Sequence, residues 1–110
     1  MKLCRVGEAN KEKPAVIDND GNYRDLTSII KDLDPSTLNF ETIDKLRNIN
    51  VETLNIIDQK KRIGACISKP SKFIGIGLNY KDHALEQNLP VPKEPIIFSK
   101  FTNCISGPQD

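Results

Sequence analysis

His83 and Glu86 stand three residues apart in the run Tyr80-Lys81-Asp82-His83-Ala84-Leu85-Glu86. On a helix that spacing sets an imidazole and a carboxylate on one face, within reach of each other. A carboxylate that accepts from one ring nitrogen fixes the tautomer and raises the basicity of the other, which can then take a proton from water. His83 is the single histidine of the chain, so any imidazole acid/base chemistry passes through it. The same spacing also describes a solvated surface pair worth a few tenths of a kcal/mol, and the residue types alone leave both readings open.

Such a pair needs a short helix delivered by a strand. Residues 72–76 read as that strand, Asn79 can cap the helix with Asp82 in its first turn, and Asn88 before Leu89-Pro90 can end it. Pro90, Pro92 and Pro95 then hold the chain extended, since each fixes φ and restrains its predecessor. A helix of about ten residues is marginal by itself, so its order depends on docking or on substrate. Residues 63–67 and 95–101 supply two further β-branched or aromatic runs that read as strands.

Upstream, residues 2–6 and 15–18 read as short strands, and Asn19-Asp20-Gly21-Asn22 is a turn signal that makes a β-hairpin. Residues 27–33 place Ile29, Ile30 and Leu33 on one helical stripe, which Asp34-Pro35 stops. A second helix runs from the cap Asn39 through Phe40, Ile43 and Leu46 to about Asn48. Both stripes read as core. Val51, Leu54, Ile56 and Ile57 fit a helix or a strand, because periodicity does not separate the two. The charged residues 58–62 read as a linker.

Bulk properties exclude several classes. Sixteen basic residues against fifteen acidic ones argue against nucleic acid or an anionic membrane as the main partner. The start MKLCRVGEAN lacks the apolar core of a signal peptide, and no segment is long enough to span a bilayer. Cys4, Cys66 and Cys104 have neither CxxC spacing nor histidine partners, which suits reduced thiols in the cytoplasm and leaves zinc without a ligand set. Gly75-x-Gly77 invites a dinucleotide loop, but the third glycine of that pattern falls at Tyr80. The two glycines instead suit a close backbone approach to a ligand or a tight strand exit.

From Arg62 to Asp110 the sequence resembles the start of the catalytic domain of the fumarylacetoacetate hydrolase family, closest to its ureidoglycolate lyase-like and diketo-deoxy-sugar-acid hydrolase members. The resemblance is carried by Gly75-Ile76-Gly77-Leu78-Asn79-Tyr80, Asp82-His83-Ala84, Glu86, Pro90-Val91-Pro92, Glu94-Pro95, Phe98, Lys100 and Gly107-Pro108. Residues 1–57 look like the small N-terminal domain of this branch. The implied fold is α+β: a small β-hairpin and helix domain over residues 1–57, then, over residues 58–110, the first strands and lid helix of a mixed β-roll. Members with this layout continue well past a point matching Asp110, so the chain reads as the first part of an enzyme.

The resemblance implies a cytoplasmic, divalent-metal-dependent hydrolase or lyase of small-molecule catabolism, acting on 2-oxo (diketo) acids or related small carboxylates by water activation and C–C or C–N cleavage. His83 would activate water and Glu86 orient and polarise it, while Asn79, Tyr80 and Lys100 would bind substrate. Mg²⁺, or Mn²⁺ or Ca²⁺ in its place, would hold the substrate oxygens and stabilise an enolate. Its carboxylate ligands in the family lie beyond the matching segment, and Asp82, Glu94 and Asp110 are single carboxylates that build no cage, so no metal ligand is assigned to this chain. Leu78 stands where the acylpyruvate-cleaving branch often has arginine. The complete enzyme would be a homodimer, and this chain alone inactive. Two other readings are a non-catalytic ligand-binding module and an interaction subunit whose sheet is completed by a second chain.

Overall fold

The computed structural model describes residues 1–108 and 110. Packing divides the chain into two compact units, residues 1–70 with 105–110, and residues 71–104. The sequence reading sets its boundary at residue 57 on resemblance; by packing, the first unit also takes in residues 58–70. The fold is α+β, with few helices and small antiparallel sheets.

In the first unit, β1 (Lys2–Val6), β2 (Lys13–Ile17), β3 (Tyr23–Asp25) and β4 (Ile56–Ile57) pair antiparallel in the order β1-β2-β3-β4. Alternation along the strands sends side chains to two faces. Val16 packs with Leu26, Ile30, Leu33 and Leu46 on one, while Cys4, Val6, Ala15 and Ile57 cluster on the other. The predicted hairpin forms at residues 18–22, where Asp18 accepts from the backbone N–H groups of Asp20 and Asn22 at 3.0 and 2.8 Å. Arg24 Nε donates to Asp18 at 2.7 Å, and its Nη atoms reach the Leu54 carbonyl and the Glu52 carboxylate at 3.1 and 2.8 Å. Arg24 therefore ties the hairpin to the turn entering β4.

Helix α1 (Phe40–Asn48) begins as read, with the Asn39 side chain accepting from the Thr42 N–H at 2.8 Å. Leu46 is buried, but Phe40 is 92% exposed and so lies outside the core that its stripe predicted. It occupies the first helical position, ahead of the turn that docks. The helix expected over residues 27–33 is reduced to one turn, in which the Ile29 and Ile30 N–H groups both donate to the Leu26 carbonyl. Side chains capture the rest of that backbone: Asp25 takes the Thr27 N–H, Asp32 takes the Leu33 N–H, and Thr37 Oγ1 donates to the Asp32 carbonyl. These local bonds displace the helical ladder, yet Ile30 and Leu33 still reach the core.

The run 51–57 resolves into a 3₁₀ turn (Val51–Thr53) and β4. Residues 63–67 make no strand; the ladder shrinks to a single bridge between Val6 and Ile63. Side-chain and backbone anchors take over there, since Gly64 N–H donates to the Arg5 carbonyl at 2.9 Å and Ser68 N–H to the Leu33 carbonyl at 2.7 Å.

Leu26 is fully buried, so Leu26→Ala is expected to cost about 2–5 kcal/mol. Phe40→Ala should stay within about 0.5 kcal/mol, both read by urea unfolding. Burial pushes the Asp18 carboxyl up, but the Arg24 and Asn22 hydrogen bonds outweigh it and bring the pKa down to about 2. The folded value lies below the ordinary one of about 4. Its stabilising contribution is therefore complete above about pH 4 and is lost as pH falls through the folded pKa. Asp18→Asn should lower the urea midpoint at neutral pH and flatten its decline across that acid window.

Candidate functional site

The second unit consists of β5 (Phe73–Gly77), α2 (Lys81–Glu86), β6 (Ile96–Lys100) and a 3₁₀ turn (Thr102–Cys104). The strands expected at 72–76 and 95–101 are β5 and β6, and they pair antiparallel with Gly75 opposite Phe98 and Phe73 opposite Lys100. A dinucleotide-binding crossover needs parallel strands, so the antiparallel pair removes that reading of Gly75-x-Gly77. A Cβ at Gly75 would collide with the Phe98 ring, whereas one at Gly77 would meet Ile96 Cγ2 at 3.3 Å. The space over Gly75 that the sequence reading gave to a ligand is thus filled by an aromatic ring of the same unit.

Leu78, at φ +46°, turns the chain out of β5. The helix consequently starts one residue later than the sequence suggests: Tyr80, not Asn79, is the N-cap, and it makes no side-chain capping bond. The other end is as read. Asn88 adopts φ +54°, its N–H donates to the Leu85 carbonyl at 3.0 Å, and the Leu89 N–H donates to the Ala84 carbonyl at 2.9 Å. That pair of bonds is a Schellman termination, with asparagine in the left-handed position. Ala84 is the buried residue of α2.

His83 and Glu86 both face solvent on this helix. The imidazole does not take the carboxylate as its partner: Nε2 of His83 lies 2.7 Å from Nε2 of Gln87, one turn on. Among the described residues no ion pair within 4.0 Å joins His83 to Glu86. The i,i+4 neighbour lies more nearly above an imidazole than the i,i+3 one, and its amide can donate to the ring. An amide nitrogen can only donate, so in this contact Nε2 is the accepting atom of the ring. Gln87 is the contact that sequence reasoning missed, although its spacing from His83 was visible.

Asn79 and Tyr80 are exposed at the head of the helix. The Lys100 ammonium lies 5.6 Å from the centroid of the Phe73 ring, its cross-strand partner, a cation–π arrangement. The unit holds all five residues singled out by sequence, but no hydrogen bond or ion pair among the described residues links them to one another. Ile74, Ile76 and Ile97 stand exposed on one face of the strand pair and Ile96 and Phe98 on the other.

The first unit offers two other candidates. A cavity of about 650 Å³ is lined by Val6, Ile57, Lys11, Asp58, Lys61 and Arg62, among others, and none of the sequence-predicted site residues lines it. Asp18, Asp20 and Glu52 bring carboxylate oxygens within 4.8 Å of one another. This trio does not suit Mg²⁺, because the Arg24 guanidinium already binds Asp18 and Glu52, and Asp18 spends its oxygens on four hydrogen bonds. The three cysteines are free, and burial pushes the Cys4 thiol up to about 11, which makes it a packing group and not a nucleophile.

Fold and site together define an α+β chain that presents an acid/base-capable imidazole to solvent on a short helix. No family model matches it. It is 48% identical over all 110 residues to a protein of Burkholderia ambifaria strain MC40-6 and to one of Burkholderia lata, and 47% identical to one of Burkholderia multivorans. Each of these is named, provisionally, a hydrolase. The chain spans 39% of the length of each relative. Among the described residues no helix is long and apolar enough to cross a membrane.

Gly75→Ala is expected to displace the exposed Phe98 ring and to speed amide exchange at Ile74 and Ile97 by a few-fold, as overpacking that a side chain can relieve costs about 1 kcal/mol. Gly77→Ala, facing a methyl group that can give, should change those rates far less.

Proposed function

We propose that this chain is the part of a hydrolase that carries the water-activating group, His83, for cleavage of a small 2-oxo acid. One observation carries the reading: the match at 48% identity runs the full length of the chain, through the His83 helix, to proteins named as hydrolases. His83 takes the proton from the attacking water, and Glu86 orients the water from the same helical face. Release of the ring from Gln87 accompanies that step, since Nε2 otherwise accepts the amide. Asn79, Tyr80 and Lys100 hold the substrate carboxylate and oxo groups, polar and cationic groups matching oxygens.

Mg²⁺ or a similar ion, implied by the fumarylacetoacetate hydrolase resemblance, finds no ligand set among the described residues. In the family that the chain resembles those ligands lie beyond the matching segment, and a longer protein carrying this segment would be the cytoplasmic, homodimeric, metal-dependent form. Helix α2 acts as a lid. Its two ends, Leu78 and Asn88, already sit in left-handed conformations, where a change of φ and ψ can swing the helix.

The 110-residue chain, incubated with Mg²⁺ or Mn²⁺ and a panel of 2-oxo acids, should show no metal-dependent turnover. A protein of the relatives' length carrying this segment should turn over, and His83→Ala should lower its kcat by roughly 10²- to 10⁴-fold with metal binding retained. An unchanged kcat in that variant removes His83 from the chemistry. Saturable binding of a 2-oxo acid with no turnover in the longer protein would favour a ligand-binding module, the role to which an imidazole held by Gln87 is already suited.

A further inference from the structure

The chain leaves the first unit after Pro70 and re-enters it at Ile105, so the whole helix-bearing segment is an excursion with two feet. We propose that Arg62 and Asp110 form a clasp that locks those feet together, making them positioning residues for the segment that carries His83. Every residue of the clasp lies within the first unit.

The outgoing foot is pinned by the backbone. Gly7 N–H donates to the Arg62 carbonyl at 2.9 Å, Gly64 N–H to the Arg5 carbonyl at 2.9 Å, and Ser68 N–H to the Leu33 carbonyl at 2.7 Å. The returning foot is pinned to it by side chains. Arg62 donates through Nε and Nη2 to the two oxygens of Asp110, at 2.5 and 2.7 Å. Asp110 also accepts from the Gly107 N–H at 2.6 Å. Gly107 is seated so closely on the outgoing foot that a Cβ would stand 2.6 Å from the Ile63 carbonyl oxygen and 2.7 Å from Gly64.

Arg62 is itself held from behind. Its Nη1 donates to Glu12 at 2.8 Å, Glu12 also pairs with Arg5 at 3.4 Å, and Arg5 donates twice to Asp32, at 2.7 and 3.1 Å. Charges alternate along the line Asp32, Arg5, Glu12, Arg62, Asp110. Its inner members are largely withdrawn from water, with Arg5 and the Glu12 side chain each 7% exposed. A fork held in this way has little freedom to lose when it grips a carboxylate with two parallel bonds. The β5–β6 ladder already sets Phe73 opposite Lys100, so what the clasp adds is the seating of the returning foot on the outgoing one. The clasp exists apart from any chemistry; only its service to catalysis rests on the function proposed above.

Amide exchange of the 110-residue chain tests the clasp, and no substrate is needed. Asp110→Asn keeps the shape and removes the charge, while Arg62→Lys keeps the charge and removes the fork. Each should speed exchange at Gly107, whose N–H donates to Asp110, by about tenfold, as expected for loss of a charge-assisted pair, with β1–β2 amides unchanged. The double variant should be no faster than either single one. Unchanged protection at Gly107, or rates that multiply in the double variant, would overturn the clasp. In a longer protein shown to be active, Arg62→Lys should lower kcat with metal binding retained, and an unchanged kcat would overturn its positioning role. Absence of turnover in the unmutated longer protein would count against the proposed function alone.

Discussion

Arg5 is a guanidinium set at the wall of an apolar core, and its burial dictates much of what surrounds it. A charge withdrawn from water needs partners for its donors, and here they come from far along the chain: Asp32, Glu12 and the Ala65 carbonyl. Drawing Asp32 to β1 bends residues 30–34 into turns. Drawing residue 65 to the same point lays the segment after β4 back across the edge of the sheet. The two apolar clusters lie on opposite faces of a sheet whose outer strand carries this one arginine, so both depend on its being satisfied.

What could be read from sequence is what short-range chemistry decides. Asn39 caps α1 and Asn88 ends α2 because capping involves only the next few residues. The hairpin at Asp18 follows from turn residues in the same way. The helix over residues 27–33 gave way to local side-chain bonds from Asp25, Asp32 and Thr37, and one of these groups, Asp32, is held by Arg5, 27 residues away. The glycine at 75 suggested a close approach to a ligand, but what approaches it is the Phe98 ring, 23 positions later and beyond the reach of any local pattern. The partner of His83 is a different case. Glu86 and Gln87 were equally visible, and only side-chain geometry chooses between an i,i+3 carboxylate and an i,i+4 amide.

The site therefore divides into a part that the chain builds and a part that it only displays. The helix, its termination and its imidazole are in place, held by backbone bonds independent of any ligand. The side chains that would meet a substrate stand apart from one another in solvent, and the one strong contact of His83 occupies the nitrogen that water would need. Under the proposed function, chemistry at this helix would begin with an exchange of partners, in which Gln87 gives way to a reactant.

The strand pair β5–β6 has isoleucines outward on one face and isoleucine and phenylalanine outward on the other. Two strands cannot hide a side chain between them, so neither face shields the other. For a newly synthesised polypeptide this makes β5 and β6 the adhesive part of the chain until their isoleucines are covered, whereas the sheet of the first unit buries apolar side chains on both of its faces.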